Sequence, residues 1–368
     1  MSGRVPVGRR NLFSERRRGL LGIAGTAAAL LLVLAIDAIF DGAMRQITRY
    51  IDTQPVQVFV AQSGVRNLHM ASSSVPLERI SDVANVDGVR AVDPILFAQE
   101  GLDASVGGRR LAYLFGYVPG RPGGPVEMET GVQPDAGEIV LDAATADSLG
   151  VGVADTVDAL GRPWRISGLA ENLSNIANGI AFVRLKDFQR ARGVSGTTSY
   201  LLVTTDREAG RVAAAIERET GLAATTREGF SASEHELVSD MSGEVLRIVS
   251  GAAWLVGFTV VALTLYAATR SRLRDIGVMT ALGAGRTALW RIVLTQAGWT
   301  VGLAGASAGA LTFALGSALA ASSSSLSLVL EPRAVVRTTA ISAVVAAAAS
   351  IAPLIKVSRL DPASVFRR

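Results

Sequence analysis

Four long stretches of this 368-residue chain carry no charged side chain. Eighteen such residues lie between Arg18 and Asp37, 22 between Arg247 and Arg270, 39 between Arg291 and Glu331, and 18 between Arg337 and Lys356. A helix needs about 20 apolar residues to cross a hydrocarbon core ~30 Å thick. Only helices and closed barrels satisfy their backbone polar groups there. The pattern predicts a membrane protein with four transmembrane α-helices and an α+β extracytoplasmic domain inserted between helices 1 and 2. With 49% hydrophobic and 18% charged residues, the chain is too apolar for a disordered protein, a coiled coil or most water-soluble enzymes.

Charge orients the spans. Residues 37–246 hold 18 basic and 28 acidic side chains, a net of −10; the remainder holds 18 basic and 4 acidic, a net of +14. Arginines crowd the N-terminal segment, recur between the second and third runs as Arg270, Arg272, Arg274, Arg286 and Arg291, and return after the fourth with Lys356. The positive-inside rule then puts both termini and the second-to-third loop in the cytoplasm of a bacterial cell, with the long acidic segment outside a plasma membrane crossed several times. The basic pI of 9.8 belongs to these flanks, so nucleic acid is not a partner. Leu34-Ala35-Ile36-Asp37 lacks a small-x-small cleavage site, so the first run reads as an anchor rather than a cleaved signal. Without cysteine the outer domain has no disulfide.

Periodicity divides the chain into a basic N-terminal segment (1–18), a first span and stalk (19–54), an outer domain (55–230) and a second stalk and span (231–269). A cytoplasmic loop (270–291), two further spans (292–355) and a tail (356–368) follow. Ile36, Ile39, Phe40, Ala43, Ile47, Tyr50 and Ile51 keep helical spacing past the first span until Pro55; Leu237, Met241, Val245 and Ile248 do so before the second. Two facing stalks would carry the domain. Within it, QVFVAQ and GVRAVDPILF read as strands, residues 76–83 as a short helix, and EIVLDAATADSLG as strand, helix and glycine stop. VADTVDAL and PWRISGLA read as two strands of a small barrel. In the third run Gly298 and Gly302, then Gly305 and Gly309, form two G-x-x-x-G pairs for close helix packing, inside one subunit or between two.

Catalytic motifs are missing. The two lysines, Lys186 and Lys356, lie in RLKDF and LIKVS, so no P-loop exists; His235 in SEHELVSD lacks the second histidine of a zinc-protease motif and reads as a solvated stalk residue. With His69 the only other histidine and no G-x-S-x-G, neither a metal site, a bound cofactor nor an esterase nucleophile is expected. Asp37 and Asp41 read as the outer boundary of the first span, with an ion path as the alternative.

The cytoplasmic segment ATRSRLRDIGVMTALGAGRTALWRIVL suits a short helix on the inner membrane face, with Ile276, Met279 and Leu282 on one side. Together with RNLFSERRRGLLGIAG, GEIVLDAATADSLGVGVADTV and PLIKVSRLDPASVFRR, it resembles the FtsX-like permeases of ABC transporters, the macrolide-exporter (MacB) and lipoprotein-release type. The resemblance implies that Arg274, Asp275, Ile276, Gly277, Met279, Ala281, Leu282 and Gly283 form a coupling segment docked on a separate P-loop ATPase dimer, which holds ATP and magnesium. Gln296 departs from the glutamate common in the family early in the third span. The expected protein is a permease paired with a second copy, alike or different, that moves its outer domain to export or extract an amphiphile: a lipid, lipoprotein, drug or peptide. The alternatives are a machine that activates a cell-wall hydrolase and an ATPase-free sensor. An extracellular adaptor or hydrolase, and membrane lipid, complete the partners.

Overall fold

The computed structural model describes residues 16–68, 72–104, 108–171, 173, 178–271, 278–279, 285–320 and 331–358. Its elements, in chain order, are α1 (Arg16–Thr53), β1 (Val58–Ala61), β2 (Val75–Pro76), α2 (Arg79–Ala84), β3 (Val89–Ala104), β4 (Gly108–Tyr117), β5 (Met128–Gly131) and β6 (Glu138–Asp142). Then come α3 (Ala143–Leu149), β7 (Thr156–Ala159), β8 (Arg162–Ala170), β9 (Gly179–Arg184), α4 (Leu185–Arg192), β10 (Thr197–Thr198), β11 (Tyr200–Thr205), α5 (Ala209–Thr220), β12 (Ala223–Thr226), α6 (Arg227–Ser271), α7 (Arg286–Ala320) and α8 (Pro332–Ser358). Among the described residues two compact units emerge: one built on Gly42–Gly243, and a helical one of residues 16–41, Glu244–Leu319 and 331–358.

The first unit is built around one long strand. β3 pairs with β11 through Val89–Ile95 and with β4 through Leu96–Ala104, so its two halves belong to different substructures. The first half joins an antiparallel sheet of order β12-β1-β11-β3. With α2 before β3 and α5 after β11, this is a β-α-β-β-α-β arrangement split at the middle of β3. Val83 and Val86 from the α2 region and Val212 and Ile216 of α5 pack on Val58, Val60, Leu201 and Val203. The opposite face carries Phe59, Tyr200 and Leu202 into a second core.

The inserted half forms a ring. β4, β9, β6 and β8 follow β3 in order, and β7 pairs with both β8 and β3, the latter through Asp103 and Asp158, which closes a six-stranded barrel. Leu102, Leu114, Ile139, Leu141, Trp164, Ile166, Ala181 and Val183 fill it. VADTVDAL and PWRISGLA thus supply β7 and β8 of a small barrel. The strands β4 and β5 were not expected. In β4, Leu114 lines the barrel while Phe115 enters the second core, so both faces are apolar and the period of two is lost. The expected helix over 76–83 starts later, at Arg79, because Val75–Pro76 pairs with β10.

The helical unit is packed on small residues: Ala27, Ala29, Ala297, Ala304, Ala308 and Ala346 share its core with Leu30, Leu34, Val261 and Val301. A Cβ at Gly257 of α6 would sit 2.6 Å from Val33 Cγ2 and 3.4 Å from the Ala29 carbonyl of α1. Of the four long helices, α1 and α7 contain segments, Leu20–Thr53 and Thr287–Leu319, long and apolar enough to cross a membrane; α6 contains the shorter apolar segment Ile248–Thr264.

Candidate functional site

Of the eight coupling residues expected from the sequence, Met279 lies within the described residues, half-buried in a helical turn with Val278. Arg274, Asp275, Ile276, Gly277, Ala281, Leu282 and Gly283 lie outside them, as does His69. The four glycines of α7 divide. A Cβ at Gly305 would meet Thr339 Cγ2 at 2.8 Å and one at Gly309 would meet Val335 Cγ1 at 3.1 Å, both on α8, whereas Gly298 and Gly302 have nothing within 4 Å. Asp37 pairs with Arg337 of α8 at 3.3 Å.

The functional geometry best defined in the structure is where α1 and α6 enter the domain core. The last turns of α1 are part of that core: Tyr50 is 2% exposed and Ile51 fully buried. The Tyr50 ring stacks on Phe115 with centroids 3.8 Å apart, and its hydroxyl donates to the Gly123 carbonyl at 2.9 Å. One turn later Gln54, also buried, grips the same loop by both ends of its amide. Its Oε1 accepts from Gly123 N at 2.8 Å and its Nε2 donates to Gly124 O at 3.1 Å. A buried side-chain amide has to find partners for both groups, and two consecutive backbone glycines supply them. The loop needs those glycines: Gly123 has φ +108°, and a Cβ at Gly124 would lie 2.6 Å from Tyr117 Cδ2.

The first turns of α6 enter the same core. Phe230 stacks on Phe59 of β1 at 4.8 Å and meets Tyr200 of β11 edge-on at 5.9 Å. Arg227 Nη1 donates to the Gln54 carbonyl at 3.3 Å, linking the start of α6 to the end of α1. Glu234, fully buried, accepts from the Leu68 backbone N–H. Thr48 Oγ1 of α1 donates to Asp52 Oδ2 at 2.8 Å and lies 3.2 Å from His235 Nε2. With its proton committed to Asp52, the threonine oxygen accepts from His235, which puts the proton of a neutral ring on Nε2. His235 therefore ties the two stalks together, where the sequence suggested a solvated side chain. Among the described residues no cluster of histidine and carboxylates could hold a metal ion.

Two measurements follow from this junction. Gln54→Ala strands a buried N–H and a buried carbonyl, so the domain should lose about 1–3 kcal/mol in thermal or denaturant unfolding. Burial also raises the surrounding phenols. Tyr113 goes from 10.0 to about 12 through desolvation and the charge of Glu234, and Tyr117 and Tyr200 rise further, mainly by desolvation. A phenol with a raised folded pKa keeps a proton that the unfolded chain releases. Its stabilising contribution is thus whole below pH 10 and, for Tyr113, fades as pH climbs toward 12. Ultraviolet titration of phenolate should show these three tyrosines silent at pH 10 in the folded protein and ionising there once it is denatured. Ordinary titration of all three in the folded chain would contradict this packing.

Comparison with known proteins agrees with the fold. The profile of the MacB-like periplasmic core domain matches residues 20–219, and that of the FtsX-like permease C-terminal region matches residues 247–362. An uncharacterized ABC transporter permease of Mycobacterium tuberculosis is 23% identical over 362 residues, 96% of each chain. A second from the same species is 24% identical over 285 residues, 74% of this chain and 75% of its own. Two solved structures are similar to about half of this chain. The periplasmic region of MacB from Actinobacillus actinomycetemcomitans has 12% identity and a TM-score of 0.38, covering 50% of this chain and 94% of that one. The extracellular domain of the noncanonic ABC-type transporter YknZ from Gram-positive bacteria has 15% identity and a TM-score of 0.34, covering 46% and 98%. The core-domain profile spans more than half of the sequence and the permease profile most of the rest, so the chain belongs to the FtsX-like, MacB-type permeases of ABC transporters. It is a membrane protein whose α+β domain lies outside the cytoplasm.

The residues that carry the junction were only partly visible in the sequence. Tyr50 stood out through helical spacing. Gln54 and the Gly123–Gly124 pair did not, because a polar residue before a proline and glycines in a turn-rich segment look like an ordinary helix end and loop. Gly257 was hidden for another reason: its partners Ala29 and Val33 lie more than 200 positions earlier.

Proposed function

We propose that this permease works by transmitting force. ATP binding closes a separate P-loop ATPase dimer, which holds the nucleotide and magnesium; the coupling segment from Arg274 to Gly283 follows; and α1 and α6 carry the motion to the extracytoplasmic domain. In this reading α1, α6, α7 and α8 are four spans, both termini are cytoplasmic, and a second copy, identical or related, completes the complex. Four spans are too few to enclose a path comfortably, and an ABC engine has two ATP sites. The observation that carries the reading is the continuity of two helices. α1 and α6 each run unbroken from an apolar segment to aromatic anchors, Tyr50 and Phe230, in the domain core. A helix end buried in a packed core passes a pull on that helix to the core.

The cargo follows from what the spans lack. Apart from Asp37 at a boundary, no charged side chain lies inside the four uncharged runs, and carriers of small polar solutes place such groups in the membrane. An amphiphile such as a lipid, lipoprotein, drug or peptide, taken from the outer leaflet or beyond it, fits this surface. The test is purification of the tagged chain from native membranes in mild detergent, with mass spectrometry of what accompanies it. A P-loop ATPase should accompany the parent and be lost from the Ile276→Glu, Leu282→Glu double variant. Absence of an ATPase from both, after crosslinking, would overturn the reading in favour of a sensor.

A further inference from the structure

The helical unit is held together in two different ways. Side chains of one helix lie directly on glycine backbone of the next: Val33 of α1 on Gly257 of α6, and Thr339 and Val335 of α8 on Gly305 and Gly309 of α7. Near Asp37, three helices meet through polar groups instead. Asp37 of α1, its side chain 13% exposed, lies 3.3 Å from Arg337 Nη2 of α8. The same guanidinium sits 6.0 Å from the ring centroid of Trp254 on α6, and that indole tilts against Phe258 with centroids 4.8 Å apart.

A charge pair at the edge of an apolar layer is a reversible fastener. Its Asp37 end is largely buried while its Arg337 end is 62% exposed, so the pair orients the two helices yet is weak enough to open toward the surface. A separate observation points to a second arrangement of the same helix. Thr338 and Ser342, adjacent on the buried face of α8, and Thr26 of α1 are fully buried, with hydroxyls that make no hydrogen bond among the described residues. Buried hydroxyls are normally paired, and these three have no partner in the arrangement with Asp37 and Arg337 joined.

We propose that Asp37 and Arg337 form a latch that fastens α1 to α8 in one half of the transport cycle and opens in the other, with Trp254 as the seat for the arginine. The proposal rests on the ATP-driven reading above and adds the element that times the movement of the stalks. Without the latch the stalks move freely and ATP turnover loses its restraint.

The test uses the full chain purified with its ATPase from native membranes, carrying Asp37→Arg, Arg337→Asp or both. Each single reversal should raise substrate-free ATP hydrolysis by about fivefold to tenfold, within the usual range of a coupling effect. The double reversal, which restores attraction, should return it to within about twofold of the parent, where a merely structural defect would compound. In a second arm, Asp37→Cys and Arg337→Cys in this cysteine-free chain are joined by a short cleavable thiol crosslinker. Hydrolysis should stop on crosslinking and resume on cleavage. Unchanged hydrolysis in both single reversals, failed rescue by the double, or full turnover in the crosslinked complex would each overturn the latch while leaving the transporter reading intact. No hydrolysis by the parent would overturn that reading and the latch with it.

Discussion

Replacing Phe230 with alanine should destabilise the Gly42–Gly243 unit by about 3–5 kcal/mol, the usual cost of removing a buried aromatic ring. The ring is 1% exposed and lies between the stacked Phe59 and the edge of Tyr200, so its loss leaves a cavity bounded by two large side chains on paired strands of one sheet. Neither strand can collapse into the space without losing its register: Phe59 and Leu202 pair across β1 and β11, and β1 also pairs with β12. Phe230→Leu, which keeps most of the volume, should cost far less. The measurement is thermal unfolding of the full chain in detergent followed by near-ultraviolet circular dichroism. A functional consequence accompanies the structural one, because Phe230 is also the anchor of α6. In the complex with its ATPase, Phe230→Ala should weaken movement of the domain more than it weakens ATP hydrolysis. Equal loss of both would mean that the ring serves stability alone.

The second large effect is expected in the helical unit. Gly305→Leu should separate α7 from α8, because even the first added carbon would lie 2.8 Å from Thr339 Cγ2 and 3.1 Å from its Cβ. Threonine is branched at that carbon and cannot swing aside at low cost. Overpacking of this kind costs about 1–3 kcal/mol, and a leucine places three further carbons in the same space. Gly302→Leu, one turn away on the same helix, meets nothing within 4 Å and should leave stability unchanged in the isolated subunit. Thr339→Gly should rescue Gly305→Ala. The readout is the midpoint of heat-induced aggregation in detergent. Equal effects at 302 and 305 would contradict the packing of α7 on α8.

The membrane character of the chain was legible because the bilayer is a stringent solvent. A charge-free run about as long as a membrane is thick has few other meanings. β6 and the helix after it were legible for a local reason: Asp142 ends the strand and caps α3 by accepting from Ala144 N, and Gly150 at φ +65° stops that helix. β4 was hidden because it is buried on both faces. The closure of the barrel was hidden too, since it depends on a single pairing between Asp103 and Asp158 that no periodicity announces. The stalks were visible as helices, but not how far they enter the domain. Tyr50 and Gln54 look like the end of a rod, whereas they are part of the core they support. Asp37 stood out in the sequence as a boundary candidate, whereas its partner Arg337, 300 positions away, could not be read at all.

The proposed role of α1 and α6, carrying ATP-driven movement into the extracytoplasmic domain, is open to a direct distance measurement. Spin labels on Val132→Cys, an exposed position in a chain without native cysteine, would report the distance between the domains of the two copies in the purified complex. That distance distribution should shift when ATP is trapped with vanadate, and the shift should be abolished by Ile276→Glu with Leu282→Glu and reduced by Phe230→Ala. Identical distributions with and without trapped nucleotide, in a complex that hydrolyses ATP, would contradict it.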